Sequence, residues 1–209
     1  MKQMDGVCVR DCTRCDALVA SRSQIVNGVG PADADLLFVG EGPGATEDEQ
    51  GAPFVGRSGS VLDEALAEAG VGRDAVRITN CVRCRPPDNR DPHADELDNC
   101  RDFLEHEIDV VDPTILVTLG KVPSEHLLDR SVAITNESGT VVDHRLGGRS
   151  RRVLLSMHPA ATLYDRSQRE GFFATIASAV ELAGLNDAGR GDGGAASEKS
   201  GGQSRLGEF

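Results

Sequence analysis

Four short runs of the chain, Asp35–Gly40, Val76–Asn80, Thr114–Leu119 and Val153–Met157, have the apolar, β-branched character of strands buried on both faces. Between them the apolar positions change to a helical period. Over Ser58–Ala69 the residues Val61, Leu62, Ala65, Leu66 and Ala69 fall on one stripe, and Gly70 stops the helix. Over Asp95–Ile108 the residues Leu97, Cys100, Phe103 (or Leu104) and Glu107 recur a turn apart. Further helices are expected over Val122–Leu128 and Gln168–Ala183. Strands alternating with helices predict an α/β fold of three layers, a parallel or largely parallel sheet of these four strands with helices on both faces. No internal repeat interrupts the pattern. Residues 186–209 are Gly/Ser-rich and too poor in apolar groups to offset their ordering entropy. They read as a disordered tail behind one domain, residues 1–185.

In such a sheet ligands bind beyond the carboxyl ends of the strands, so the residues just after each strand are the ones to inspect for chemistry. They are Glu41-Gly42-Pro43-Gly44, Asn80, Gly120-Lys121 and His158-Pro159. After the first strand the chain reads GEGPGATEDEQGAPFVGRSG, residues 40 to 59, whose glycines let backbone approach a ligand closely. It matches neither GxGxxG nor a loop ending in GKS or GKT. Phe54 stands out in this polar loop because only 3% of the chain is aromatic and Trp is absent, which favours ligand stacking over a core role. Asn80 ends a buried strand, where its donors and acceptor need either backbone or ligand partners. His158 sits at another strand exit, followed by a proline.

Charge qualifies this picture. Lys and Arg number 22 against 34 Asp and Glu, a net of −12, the wrong sign for a protein that grips phosphates. The surplus reads either as a plain acidic surface or as adaptation to a salt-rich cytoplasm. Local basic clusters run against it: Arg83, Arg85 and Arg90 after the second strand, Arg145, Arg149, Arg151 and Arg152 before the fourth, then Arg166 and Arg169. Each is a solvated group or a phosphate contact. No window approaches the roughly 18 apolar residues of a membrane span, and the N-terminus lacks the apolar stretch of a signal peptide. A cytoplasmic protein is expected. There disulfides are rarely kept, so six cysteines point to a metal or redox site. Cys12/Cys15 and Cys81/Cys84 could make a tetrathiolate zinc site, but the gap between the pairs far exceeds ordinary zinc-ribbon spacing, and an iron–sulfur cluster tolerates more varied spacing.

The segments CTRCDAL, GEGPGATEDEQGAPFVGRSG, NCVRCRPPDNRDP, ELDNCRDFL and MHPAA follow one another in the order of the family 4 uracil-DNA glycosylases, and the chain resembles that family from about Cys12 to Phe173. The resemblance implies a central four-stranded parallel sheet flanked by helices, and a 4Fe-4S cluster on Cys12, Cys15, Cys84 and Cys100, with Cys8 and Cys81 left over. It implies that Phe54 stacks on an extruded uracil, that Asn80 reads its edge, and that His158 and the backbone of Glu41, Gly42 and Pro43 touch its carbonyl oxygens. The substrate implied is uracil-containing DNA, and the reaction is hydrolysis of the N-glycosidic bond in base excision repair. Glu41 and His158 are the expected catalytic pair, with Glu47 and Asp48 as reserve acids. Ala160 replaces the family's usual Ser after HP. A related group that crosslinks to uracil-containing DNA uses a His in an arginine-rich insertion. Here DNRDPHAD has no such insertion, although His93 lies nearby, and the turn reads GEGPG rather than GEQPG. The rival readings are a non-catalytic iron–sulfur DNA-binding module and a mononucleotide-binding α/β enzyme.

Overall fold

The computed structural model describes residues 7–187; residues 188–209, most of the expected tail, lie outside the described part. In chain order the elements are α1 (Asp16–Ser21), β1 (Leu36–Gly40), α2 (Ala45–Gln50), α3 (Arg57–Glu68), β2 (Arg77–Asn80), α4 (Ala94–Val111), β3 (Ile115–Leu119), α5 (Lys121–Leu128), α6 (Ile134–Glu137), β4 (Val141–Leu146), β5 (Arg149–Ser156), α7 (Ala161–Tyr164) and α8 (Arg169–Leu182).

The sheet has the order β2-β1-β3-β5-β4. Its first four members are the four expected strands, all parallel, with Gly40 level with Asn80 and Leu119 level with Ser156. The fifth is a correction. Val141–Leu146 adds an antiparallel edge beside β5. Its residues alternate between exposed and half-buried up to Leu146, so it lacks the continuous apolar run of a strand covered on both faces.

Alternation along the parallel strands divides their side chains between two cores. Leu36, Phe38, Ile78, Val117 and Leu154 pack under α3 and α8. Leu37, Val39, Leu116, Val153 and Leu155 pack under α4 and α5. On α3 the stripe Val61, Leu62, Ala65 and Leu66 is buried as expected. On α4 the core residue is Leu104. Phe103 instead lies half-exposed and carries the Arg14 guanidinium 4.4 Å from its ring centroid.

Glu107 occupies a core position of α4, fully buried. A lone carboxylate there would be untenable, and β2 and its following loop answer it. Arg77 Nε and Thr79 Oγ1 donate to it at 2.7 and 2.8 Å, and Arg83 Nη2 at 2.9 Å. Arg77 also donates to the carbonyls of Gly28 and Gly30, and Arg83 to those of Val7 and Phe103. One carboxylate thereby joins sheet, helix and N-terminal segment.

Because Arg77 and Arg83 would be left as uncompensated buried cations, Glu107→Ala is expected to cost about 3–5 kcal/mol of folding stability, read as a fall in the midpoint of urea unfolding at unchanged slope.

Candidate active site

The carboxyl ends of β1, β2 and β5 bring Gly40, Asn80 and His158 to one edge of the sheet. A Cβ on Gly40 would lie 2.4 Å from both Asn80 Oδ1 and the Phe54 ring. Only glycine leaves that space. Asn80 is 3% exposed and its Oδ1 has no hydrogen-bond partner among the described residues. An unpaired buried acceptor costs about 1–3 kcal/mol, which a fold tolerates where function requires it.

Phe54 reaches this position on a strained backbone, with φ of 52°, a left-handed conformation unusual for an aromatic residue. Three contacts hold it there. Glu47 Oε1 accepts from the N–H groups of Val55 (3.1 Å) and Gly56 (2.9 Å). Arg73 donates to the Pro53 carbonyl. At the start of α3, Gly59 lets the Phe54 carbonyl pack on the helix, where a Cβ would stand 1.9 Å from that oxygen.

His158 stands 5.8 Å from Phe54, ring centroid to ring centroid, with the planes inclined at 35°. Its Nδ1 accepts from Ala160 N–H at 3.2 Å, which places the proton of the neutral ring on Nε2. Burial pushes the imidazole down to about 4, against a smaller opposing pull from Glu47. At neutral pH it is an uncharged N–H donor. Glu41, Gly42, Pro43, Glu47, Phe54 and His158 share the wall of one cavity of about 250 Å³, which Gly44, Ser58, Pro86, Asn89 and Arg90 complete. Asn80 lies beside Phe54, off the open wall. The Glu41 carboxyl is raised to about 7, first by burial and then by the negative charge of Asp91.

Several expectations change. Asp48 is buried and accepts from the N–H groups of Ser23 and Gln24, so it fastens the segment after α1 and is not a reserve acid. Arg83 is an interior ion-pair partner, not a surface contact. Arg90 is paired with Glu96 at 2.6 Å, and Arg85 is bonded to Asn89. Arg145, Arg149, Arg151 and Arg152 belong to the β4–β5 hairpin at the amino end of β5. Arg149 precedes Ser156 by seven residues of strand, about 23 Å from the site at ~3.3 Å per residue, and Arg151 is buried against Asp109 and Asp112. Besides Arg90, which is paired with Glu96, basic groups near the site are Arg57, Arg166 and Arg169, around Thr162 and Leu163 just beyond His158.

Cys12, Cys15, Cys84 and Cys100 line a second, much smaller cavity of about 10 Å³. Cys8 is exposed, and Cys81 is buried at the end of β2 outside this set, so the pairing of Cys12/Cys15 with Cys81/Cys84 is not formed. Two residues missed in the sequence support the group: Arg22 donates to Cys84 Sγ (2.9 Å) and to Cys12 O (2.8 Å), and Asn99 to Cys15 Sγ (3.4 Å). Burial raises the thiols of Cys15, Cys84 and Cys100, the last to about 11, and the neighbouring sulfurs add to it. Among the described residues no group of three or more His, Cys, Asp or Glu side chains forms a cage for a single metal ion.

A family model described as the uracil DNA glycosylase superfamily matches residues 27–181, which takes in every parallel strand and the whole cavity edge. The chain belongs to that superfamily. Among its relatives, a type-4 uracil-DNA glycosylase of Archaeoglobus fulgidus is 35% identical over 190 residues, 88% of this chain and 95% of its own. A type-4 uracil-DNA glycosylase of Thermotoga maritima is 42% identical over 160 residues, 76% of this chain and 81% of its own. A type-5 uracil-DNA glycosylase of Pyrobaculum aerophilum is 31% identical over 182 residues, 72% of this chain and 78% of its own. No helix among the described residues is long and apolar enough to cross a membrane.

The superfamily pocket thus depends on one tight contact between loop and helix. Gly59→Ala is expected to push the Phe54 carbonyl off α3 at a cost of about 1–3 kcal/mol, the range for overpacking, whereas Ser60→Ala on the exposed face should be neutral in the same unfolding assay.

Proposed function

We propose that this chain is a type-4 uracil-DNA glycosylase of the cytoplasm. It cleaves the bond between uracil and deoxyribose in DNA and leaves an abasic site for base excision repair. The observation that carries the reading is the unpartnered Oδ1 of Asn80, buried beside Phe54 in a member of the uracil DNA glycosylase superfamily. Uracil presents N3–H as a donor and O4 as an acceptor, and a carboxamide complements both.

The glycosidic carbon is out of reach within a duplex, so the nucleotide first rotates out of the stack at a cost of a few kcal/mol. Stacking on Phe54 returns about 1–3 kcal/mol. As the C1′–N1 bond breaks, its electron pair leaves with uracil and the sugar becomes cationic. Neutral His158 donates from Nε2 to the uracil oxygen on which the charge collects, assisted by the backbone of Glu41–Pro43, in the manner of an oxyanion hole. A His already charged would lose the advantage of a donor matched to a developing anion. Glu41 faces the sugar cation and takes a proton from the attacking water, whose oxygen bonds to C1′. Glu47 acts indirectly, by fixing the loop that presents Phe54. Arg57, Arg166 and Arg169 lie where flanking phosphates would pass.

The four converging cysteines suit a 4Fe-4S cluster better than one zinc ion. Among the described residues they do not close into a cage for a single ion, and Arg22 and Asn99 N–H groups already face their sulfurs, as hydrogen-bond donors face cluster sulfurs elsewhere. The buried thiols lack a compensating positive charge, which a metal supplies. When bound, the cluster supplies a crosslink between the segment preceding α1, the loop after β2 and α4. Hydrolysis of a glycosidic bond transfers no electrons, so that role is structural.

Release of free uracil from a uracil-containing oligonucleotide separates this enzyme from a non-catalytic DNA-binding module. Asn80→Asp is expected to lower that release by orders of magnitude and to gain weak cytosine excision, because a carboxylate accepts from the cytosine amino group and can share a proton with its N3. Unchanged uracil release would move base recognition to another residue. Anaerobically purified protein is expected to hold about four iron and four sulfide per chain. Cys84→Ser and Cys100→Ser should lose them, while Cys8→Ser and Cys81→Ser should keep them.

A further inference from the structure

The four cysteines come from the segment preceding α1, the loop after β2 and α4, and one side chain bridges the first two of these. Arg22, at the C-terminal cap of α1, donates from Nη1 to Cys84 Sγ at 2.9 Å and from Nη2 to the Cys12 carbonyl at 2.8 Å. Its guanidinium fork thus joins two stretches far apart in sequence. Arg77, Arg83 and Arg101 give their N–H groups to carboxylates, whereas Arg22 gives these two to a sulfur and a carbonyl. Its positive charge is thereby offered to the cysteine group.

The position of Arg22 is fixed from behind. Its own N–H donates to the Leu18 carbonyl at 3.0 Å, closing α1, and buried Leu18 lines the same small cavity as the cysteines. The next residue, Ser23, donates its N–H to both oxygens of buried Asp48, each at 2.9 Å. Gln24 Nε2 donates to the carbonyls of Asp48 and Glu49, also at 2.9 Å. The arginine therefore projects from a stem clamped between α1 and α2.

The other polar side chains at this cavity are differently engaged. Arg14 lines it too, but its guanidinium is committed to the Asn99 carbonyl at 2.8 Å, to Asp102 at 3.5 Å and to the Phe103 ring, 4.4 Å from the centroid. Asn99 reaches Cys15 Sγ at 3.4 Å with a neutral amide. Among the described residues Arg22 is the cation that bonds a sulfur. A 4Fe-4S core on four thiolates is negatively charged and becomes more so on reduction, so a positive donor at a ligating sulfur raises its potential. Partners behind a metal ligand commonly change metal affinity by about 10–100-fold. Lysine would supply the charge without the bridge, because its ammonium is a point charge where guanidinium is a fork.

We propose that Arg22 is a positioning residue for the cluster: it pins Cys84 to the Cys12 segment and sets a positive charge against the ligating sulfur, so that the cluster is retained. The proposal rests on the reading of Cys12, Cys15, Cys84 and Cys100 as cluster ligands. Its two parts have separate readouts, the rate of iron loss for the bridge and the reduction potential for the charge.

Anaerobically purified, cluster-loaded wild type, Arg22→Lys and Arg22→Gln are to be compared by the rate at which a ferrous chelator strips their iron and by the midpoint of the one-electron couple in protein-film voltammetry. Arg22→Gln should lose iron about tenfold faster. Its reduction equilibrium should shift about tenfold toward the oxidised form, a fall of ~59 mV for a one-electron couple. Arg22→Lys should lose iron as fast as Arg22→Gln while keeping the wild-type potential. Wild-type release rates in both variants would overturn the proposal. Faster release from Arg22→Gln at an unmoved potential would overturn it too, since a plain tie between chain segments predicts that result without any charge at the sulfur. If Arg22→Gln does not fold, Arg22→Lys decides the matter, because a wild-type release rate there means that the fork is not what holds Cys84. Wild-type protein without sulfide defeats the cluster reading instead, a result that metal analysis gives before any variant is made.

Discussion

The carboxylate of Glu107 holds the working parts of the molecule in relation to one another. It is buried in the face of α4 and takes its hydrogen bonds from Arg77, Thr79 and Arg83. Thr79 is one residue before Asn80, and Arg83 one residue before Cys84. The end of β2, where the Asn80 carboxamide sits, and the loop that brings a cysteine toward the other three are therefore set by the same charge. Arg83 extends the connection to Val7 and to Asn27, tying down the chain on either side of Cys12 and Cys15. A hydrophobic side chain at position 107 would pack at less cost in desolvation, but it would leave both arginines without their shared carboxylate.

Around this frame the cavity carries little net charge. Burial keeps His158 neutral to about pH 4 and holds the Glu41 carboxyl near 7, while Glu47 spends its charge on two backbone N–H groups. A pocket of this kind does not repel the polar but uncharged face of a base. In the proposed mechanism its donors and acceptors meet charge that appears only as the bond breaks, which is where electrostatic stabilisation accelerates a reaction rather than merely tightening binding.

The parallel strands and the α3 stripe were legible in the sequence because each is a buried periodic surface, and strand exits then pointed to Glu41, Asn80 and His158 without further information. What escaped notice did so for physical reasons. β4 is an edge strand with Asp143 and Arg145 in it, and it has no apolar run to detect. Arg83 reads as a loop cation because its partner, Glu107, is distant in sequence and sits on a face that periodicity assigns to the core. Asp48 and Glu47 are adjacent acids in one short helix, yet one turns inward to Ser23 and the other toward Phe54, a difference set entirely by tertiary contacts. Cys100 in place of Cys81 could not be chosen by spacing, since a CxxC pair is a local signal and the observed set draws on the segment preceding α1, the loop after β2 and α4. The family resemblance supplied that choice.

The acidic balance of the chain also takes on a different meaning once the arginines are placed. Arg77, Arg83, Arg90, Arg101, Arg130, Arg149, Arg151 and Arg169 all pair with carboxylates of the same molecule. Their charge is consumed in holding elements together, and three of them, Arg77, Arg83 and Arg151, are buried. Counting basic residues in the sequence thus overstates the positive surface available to a nucleic acid, even before the net charge of −12 is considered. Near the cavity the exposed basic groups are Arg57, Arg166 and Arg169, the last of them already paired with Glu64. So few free cations would leave counterion release little to contribute to the binding of a nucleic acid. Under the proposed function, selection of the target then falls on the extruded base itself, through a strained Phe54 and an Asn80 carbonyl without a partner among the described residues.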